Sequence, residues 1–118
     1  MYELLFWDYN EGIYLNHHEV YEAIIDGVNI DGLSDIQHRV IINRINTVFK
    51  DWEKVDDNSW KNHAGNGAFQ IKATEKYIKI DCYGTEGKTM DLLANILEEF
   101  NLPLYDPQIP ERYDAYNE

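Results

Sequence analysis

Two adjoining stretches of alternating apolar and polar residues, spanning positions 68–83, constrain the fold of this chain more than any other feature. Every second position in both arms is apolar, and the arms are joined by a short polar turn at residues 74–76. These apolar positions are Phe69, Ile71, Ala73, Ile78, Ile80 and Cys82. Strict alternation gives a strand one apolar and one polar face. The pattern therefore predicts an antiparallel hairpin over 68–83 whose apolar face other elements must cover.

Helical patterns on either side of the hairpin supply that cover. Upstream, a Ser34 capping box precedes a helix predicted over 36–52, and downstream a second helix is predicted over 88–100. Asn101 and Pro103 end the second helix. A shorter helix is predicted between an Asn16 N-cap and Gly27. The core-facing residues of the two main helices are Ile36, Val40, Ile41, Ile45, Val48, Phe49, Trp52, Met90, Leu93, Leu97 and Phe100.

These elements predict an α+β fold: a single layer of mainly antiparallel sheet, with about four to five strands and the two main helices packed on it. Residues 2–9 are apolar on both faces, which favours an interior strand covered on both sides. Pro103 favours an edge strand over 102–105. We expect residues 1–118 to form a single domain, with 106–118 as an extended, partly mobile tail.

Charge is the bulk property that says most about function. Ten Lys and Arg stand against 22 Asp and Glu, a net charge of -12. Residues 1–35 hold eight acids and no Lys or Arg, and residues 101–118 hold four acids and one Arg, so the excess lies at the two ends. Such a surface repels nucleic acid and anionic membranes and attracts basic proteins. Solubility alone would also account for it.

No catalytic or cofactor motif is indicated. The segment from Gly84 to Thr89 resembles the end of a phosphate-binding loop, but the glycine required five positions before Gly87 is replaced by Cys82. The four histidines lack the spacing of a metal-binding helix. A single cysteine, predicted to face inward, excludes an internal disulfide and fits a reducing cytoplasm. We expect no signal peptide and no transmembrane helix, because residues 1–12 lack a basic start and a long apolar run.

Three segments resemble those of a family of small bacterial proteins. They are the strand with Phe6 and Trp7, the hairpin that ends in Asp-Cys-Tyr-Gly at 81–84, and Pro-Leu-Tyr-Asp-Pro-Gln at 103–108. Small acidic proteins of this type are similar to the immunity proteins of contact-dependent inhibition and other polymorphic toxin systems. The resemblance implies a cytoplasmic protein that binds one cognate toxin C-terminal domain, often a basic nuclease, and blocks it.

The first functional hypothesis is therefore a non-enzymatic immunity protein that uses an acidic, tyrosine-rich surface and needs no metal or cofactor. The contact residues come from the first loop, the turn after residue 55 and the tail. They are Asp8, Tyr9, Glu11, Tyr14, Asp56, Asp57, Tyr105, Asp106, Glu111 and Asp114. The alternative is a small ligand-binding or catalytic α+β domain with a pocket between helix and sheet. A third possibility is an ordinary subunit or adaptor of a larger assembly.

Overall fold

A computed structural model describes residues 1–65 and 67–113. Within them the chain forms three helices and one seven-stranded sheet in the order β2-β3-β4-β5-β1-β6-β7. The strands are β1 Tyr2–Phe6, β2 Glu53–Asp56, β3 Ser59–Lys61, β4 Ala68–Ala73, β5 Ile78–Tyr83, β6 Leu104–Asp106 and β7 Glu111–Arg112. The helices are α1 His17–Asp26, α2 His38–Val48 and α3 Gly87–Glu98.

Every strand pairing is antiparallel, and the predicted hairpin is confirmed. β4 and β5 pair from Ala68 opposite Tyr83 to Ala73 opposite Ile78. The predicted α+β class is right, but the expected four to five strands are too few. β3 and β7 are only three and two residues long, too short for an alternating pattern to reveal them.

The sheet separates two apolar cores, and β1 contributes to both. Leu4 and Phe6 pack in the core beneath α2 and α3, whereas Leu5 and Trp7 pack in the core beneath α1. All four side chains are buried. An interior strand covered on both faces is thus confirmed for β1, and the two main helices share one face as predicted. The short α1 covers part of the other face.

Some of the helix ends lie where the capping residues of the sequence predict them, and others do not. α1 begins as predicted, with the Asn16 side chain accepting a hydrogen bond from the Glu19 amide at 3.0 Å. α2 is shorter than the predicted 36–52 and begins after the Ser34 capping box. The Ser34 hydroxyl instead donates to the Asn10 side chain, because tertiary contacts hold residues 33–36 outside the helix. α3 ends near its predicted position, followed by Asn101 in the left-handed conformation with φ 59°.

The C-terminal segment, predicted to be extended from residue 106, contains the short strand β7 and is described as far as Tyr113. β6 lies between β1 and β7 and is not an edge strand. Gln108, in the turn after β6, reaches back to β1: its side chain accepts from the Glu3 amide at 2.7 Å and donates to the Glu3 carbonyl at 2.9 Å. Residues 106–113 therefore belong to the fold. The rest of the predicted tail, 114–118, lies outside the described residues.

The longest helix in residues 1–65 and 67–113 is α3, with 12 residues. No helix in these ranges combines the length and apolar character needed to cross a bilayer.

Candidate protein-binding groove

A groove of about 1100 Å³ opens between α3, the loop of residues 8–14 and the β6–β7 region. Its walls therefore come from parts of the chain about 80 to 100 residues apart, including both acidic ends of the sequence. The groove-lining residues are Tyr2, Leu4, Asp8, Tyr9, Asn10, Glu11, Gly12, Ile13, Tyr14, Gly87, Met90, Asp91, Ala94, Glu98, Asn101, Leu102, Pro103, Leu104, Asp106, Arg112 and Tyr113.

One face of α3 forms the first wall. Asp91 and Glu98 are exposed and seven residues apart, which places them on the same helix face about 10 Å from one another along the axis. Met90 and Ala94, both half-buried, lie beside these acids on the side of the helix nearer the core. Gly87, in the first turn of the helix, adds no side chain to the groove. This wall consequently carries two carboxylates along its exposed edge and a mostly apolar surface beneath them.

The loop of residues 8–14 forms the second wall and is held by backbone hydrogen bonds. The Asn10 amide donates to the Gly32 carbonyl at 2.8 Å, and the Ser34 amide donates to the Asp8 carbonyl at 2.9 Å. Asp8 and Glu11 are exposed on this anchored loop. Two large side chains of the same loop, Ile13 and Tyr14, are 42% and 52% exposed, so this wall is both acidic and apolar.

A polar network supports the base of the groove near Tyr2. The Tyr2 hydroxyl donates to the Asp106 carboxylate at 2.5 Å, and the Gln108 backbone amide donates to its other oxygen at 3.0 Å. The hydrogen bond to Asp106 is the main reason that the pKa of Tyr2 rises to about 12, with burial adding to it. Asp106 is only 5% exposed, so it orders the base of the groove from within.

Arg112 is the one Lys or Arg among the described groove-lining residues. Its guanidinium lies 4.7 Å from the Tyr9 ring centre and 5.4 Å from the Trp7 ring, and it donates to the Trp7 carbonyl at 2.6 Å. The side chain is 4% exposed. Its positive charge is therefore engaged inside the fold through cation–π contacts, and the charges that face solvent from the groove are carboxylates.

The structure brings half of the predicted contact residues together at this groove. Asp8, Tyr9, Glu11, Tyr14 and Asp106 all line it. Asp8, Glu11 and Tyr14 are exposed there. Tyr9 is 8% exposed, and with Asp106 it shapes the groove more than it offers contact area.

The remaining predicted residues are placed elsewhere. Tyr105 is fully buried in the core beneath α1, so its prediction as a surface residue is wrong. An amphipathic tyrosine satisfies the inward position of a strand as well as it satisfies a surface. Glu111 is exposed on β7 outside the groove lining, and Asp114 lies outside the described residues.

Asp56 and Asp57 lie at the end of β2, at the opposite edge of the sheet from β6 and β7. Asp56 accepts a hydrogen bond from the Asn58 amide at 2.8 Å, a turn-forming contact. The sequence-based assignment placed these two acids on the same surface as Asp8 and Glu11. In the structure they do not share a surface with the groove.

Sequence reasoning missed the α3 wall. Neither Asp91 nor Glu98 was singled out from the sequence as a contact residue, although their seven-residue spacing could have indicated two acids on one side of the helix. Nothing in the sequence indicated that the loop of residues 8–14 would lie across from them.

The histidines and the cysteine have structural partners. His17 Nδ1 lies 2.8 Å from the Tyr9 hydroxyl, and His18 Nδ1 lies 2.7 Å from the Tyr105 hydroxyl. These hydrogen bonds satisfy two buried tyrosines. No group of three or more metal-ligating side chains occurs in the described part of the chain. Cys82 is buried, and burial raises the pKa of its thiol to about 11, which keeps it protonated at neutral pH.

Neither the protein-family models nor the curated proteins with which the sequence was compared match this chain.

Proposed function

We propose that this chain is a non-enzymatic immunity protein that binds a cognate toxin domain with a basic surface and blocks it. The observation that carries the proposal is the convergence of carboxylates from distant segments on one groove, Asp8 and Glu11 facing Asp91 and Glu98. Apolar side chains between the carboxylates add contact area. A basic protein surface complements this arrangement in both charge and polarity.

The mechanism is occlusion. A nuclease toxin uses Lys and Arg to hold the phosphates of its substrate, and the groove carboxylates compete for those side chains. The net charge of -12 steers a basic partner toward the protein and speeds association at low salt. Apolar contacts made by exposed Ile13 and Tyr14 then slow dissociation, because buried aromatic and aliphatic anchors carry most of the binding energy of an interface.

Coexpression tests the proposal most simply. The open reading frame immediately upstream at the source locus is expressed with and without this chain, and growth and complex formation are scored. We expect the upstream C-terminal domain to arrest growth and this chain to restore it while binding that domain. A harmless neighbour, or arrest that this chain does not relieve, would contradict the proposal.

Charge-reversal variants test the groove as the binding surface. Asp8→Lys with Glu11→Lys should weaken toxin binding by about tenfold or more and reduce its salt dependence, since rim charges act mainly on association rate. Glu22→Lys with Asp26→Lys is the matched control: both residues are exposed on α1, and the change in charge is the same. The control should change affinity by less than about threefold.

A second candidate is a pocket for a small ligand or substrate. The volume of about 1100 Å³ is close to the upper end for such sites, and an apolar lining with a few converging polar groups is typical of them. The exposed carboxylates would select a cationic compound. Thermal-shift screening with polyamines and other organic cations separates the two candidate functions. The second function is favoured if a small cation stabilises the protein and does not displace a bound toxin domain.

A further inference from the structure

The geometry of the groove indicates which kind of structure occupies it. We infer that the groove takes an amphipathic α-helix, with an apolar stripe flanked on both sides by Lys or Arg. Only the identity of the protein that carries this helix rests on the proposed function. The inference itself depends on the backbone of the groove walls, the spacing of their acids and the groove volume.

An extended peptide finds no free strand edge at the base of the groove, and the edge strand beside it, β7, is only two residues long. β1 lies between β5 and β6, and β6 lies between β1 and β7, so the two strands beneath the groove have neighbours on both sides. Neither can accept another strand, and an extended segment against the apolar base would leave its own amides and carbonyls without partners. A helix satisfies its backbone internally and can pack against an apolar surface without further hydrogen bonds.

The α3 wall matches a packed helix in shape and charge. Met90 and Ala94 form an apolar surface beneath the edge that carries Asp91 and Glu98, and a small residue such as Ala94 at a contact lets helices approach closely, to about 8–10 Å between axes. The two acids are seven residues apart, so Lys or Arg at a seven-residue spacing on the partner helix can reach both. Asp8 and Glu11 meet the basic residues on its other flank.

The volume also fits a short helix. A helix of about 10–12 Å diameter that rises 1.5 Å per residue occupies roughly 120–170 Å³ per residue. The groove of about 1100 Å³ therefore has the volume of about two helical turns, the same length that separates Asp91 from Glu98. Ile13, Tyr14 and Met90 then face the apolar stripe.

A peptide titration tests the inference. The probe is an 18-residue capped peptide of Leu, Ala and Lys, with Leu at helical spacing and Lys on both flanks. A peptide of identical composition with alternating Leu and Lys is the control, because it has the same charge but the amphipathic period of a strand. Amide chemical shifts of the labelled full-length chain report the site, and circular dichroism reports helix formation in the peptide.

We expect the helical peptide to shift amides of residues 8–14 and α3 and to gain helicity on binding. It should bind about tenfold or more tightly than the control peptide. Asp91→Lys with Glu98→Lys should weaken binding about tenfold, whereas Glu22→Lys with Asp26→Lys should leave it within about threefold. Equal binding of both peptides, or shifts confined to other surfaces, would overturn the inference.

A steric variant gives an independent check. Gly87 lines the groove and a Cβ there meets no heavy atom within 4 Å, so Gly87→Trp introduces a bulky side chain at a position whose backbone accepts a Cβ. It should weaken the helical peptide about tenfold or more, and unchanged binding would count against the site. If toxin binding persists in groove variants that no longer bind the peptide, the groove still binds a helix, but the toxin does not supply that helix and its contact surface lies elsewhere. If the groove binds the peptide but the chain gives no protection from the toxin, the inference about the groove stands and the immunity function fails.

Discussion

Replacing Gln108 with Ala should destabilise the fold although the side chain is exposed. β6 is paired with β1 through only two residue pairs, Leu5 with Tyr105 and Phe6 with Leu104. Beyond them the Gln108 side-chain amide makes the hydrogen bonds that a paired strand residue would make; we call this its substitute-strand role. It accepts from the Glu3 backbone amide and donates to the Glu3 carbonyl. The same amide nitrogen also donates to Asp106.

The expected loss follows from these contacts. Each hydrogen bond contributes about 0.5–1.5 kcal/mol net, and one to a carboxylate contributes more. Water can reach the exposed Gln108 site and replaces part of what is removed. We therefore expect Gln108→Ala to lower the free energy of unfolding by about 1–3 kcal/mol.

Urea denaturation followed by tryptophan fluorescence measures this change. Gln70→Ala, at an exposed glutamine of β4, is the control and should stay within about 0.5 kcal/mol of wild type. Gln108→Glu should cost more than Gln108→Ala at neutral pH, because it places a carboxylate beside Asp106, and the penalty should shrink as the new carboxyl is protonated. A Gln108→Ala variant as stable as the Gln70→Ala control would refute the substitute-strand role.

Further predictions concern two glycines, Gly87 and Gly67, and the tyrosine at the base of the groove. Gly87→Ala should stabilise the protein by about 0.4–1 kcal/mol, because a Cβ at Gly87 meets no heavy atom within 4 Å. Gly67→Ala should destabilise it, because Gly67 has a φ of 93° and an added Cβ would lie 2.8 Å from the Thr85 Cα. Thermal melts of both variants check that one melting temperature rises and the other falls. Tyr2→Phe should cost stability below pH 10 but progressively less as pH rises toward 12. The reason is that the folded-state pKa of Tyr2, about 12, exceeds its ordinary 10.0 through the hydrogen bond to Asp106, so the stabilisation is complete below the unfolded pKa and lost through the folded one. A difference from wild type that does not change with pH would contradict this assignment.

The parts of the fold that were predictable are those whose signal is local. The hairpin repeats every two residues, α1 has both its Asn16 cap and its Gly27 stop, and the apolar run in β1 fits burial on both faces. β7 has no such signal, because two residues carry no period. Its position depends on Arg112 packing against Trp7, a contact between residues more than 100 positions apart.

The candidate site was predictable only in its charge. The acidic excess at both ends indicated where carboxylates are concentrated, and folding brings Asp8 and Glu11 near the C-terminal segment. The burial of Tyr105 depends on which face of β6 meets α1, and that register is set by long-range pairing. The place of Asp91 in the groove likewise depends on how α3 sits on the sheet.

Hydrogen exchange of this chain, alone and bound to the C-terminal domain encoded upstream, tests the central claim most directly. The account predicts slower exchange at residues 8–14 and in the first turn of α3, with no change at the β2–β3 turn. Protection of the β2–β3 turn together with unchanged exchange along the groove would contradict it.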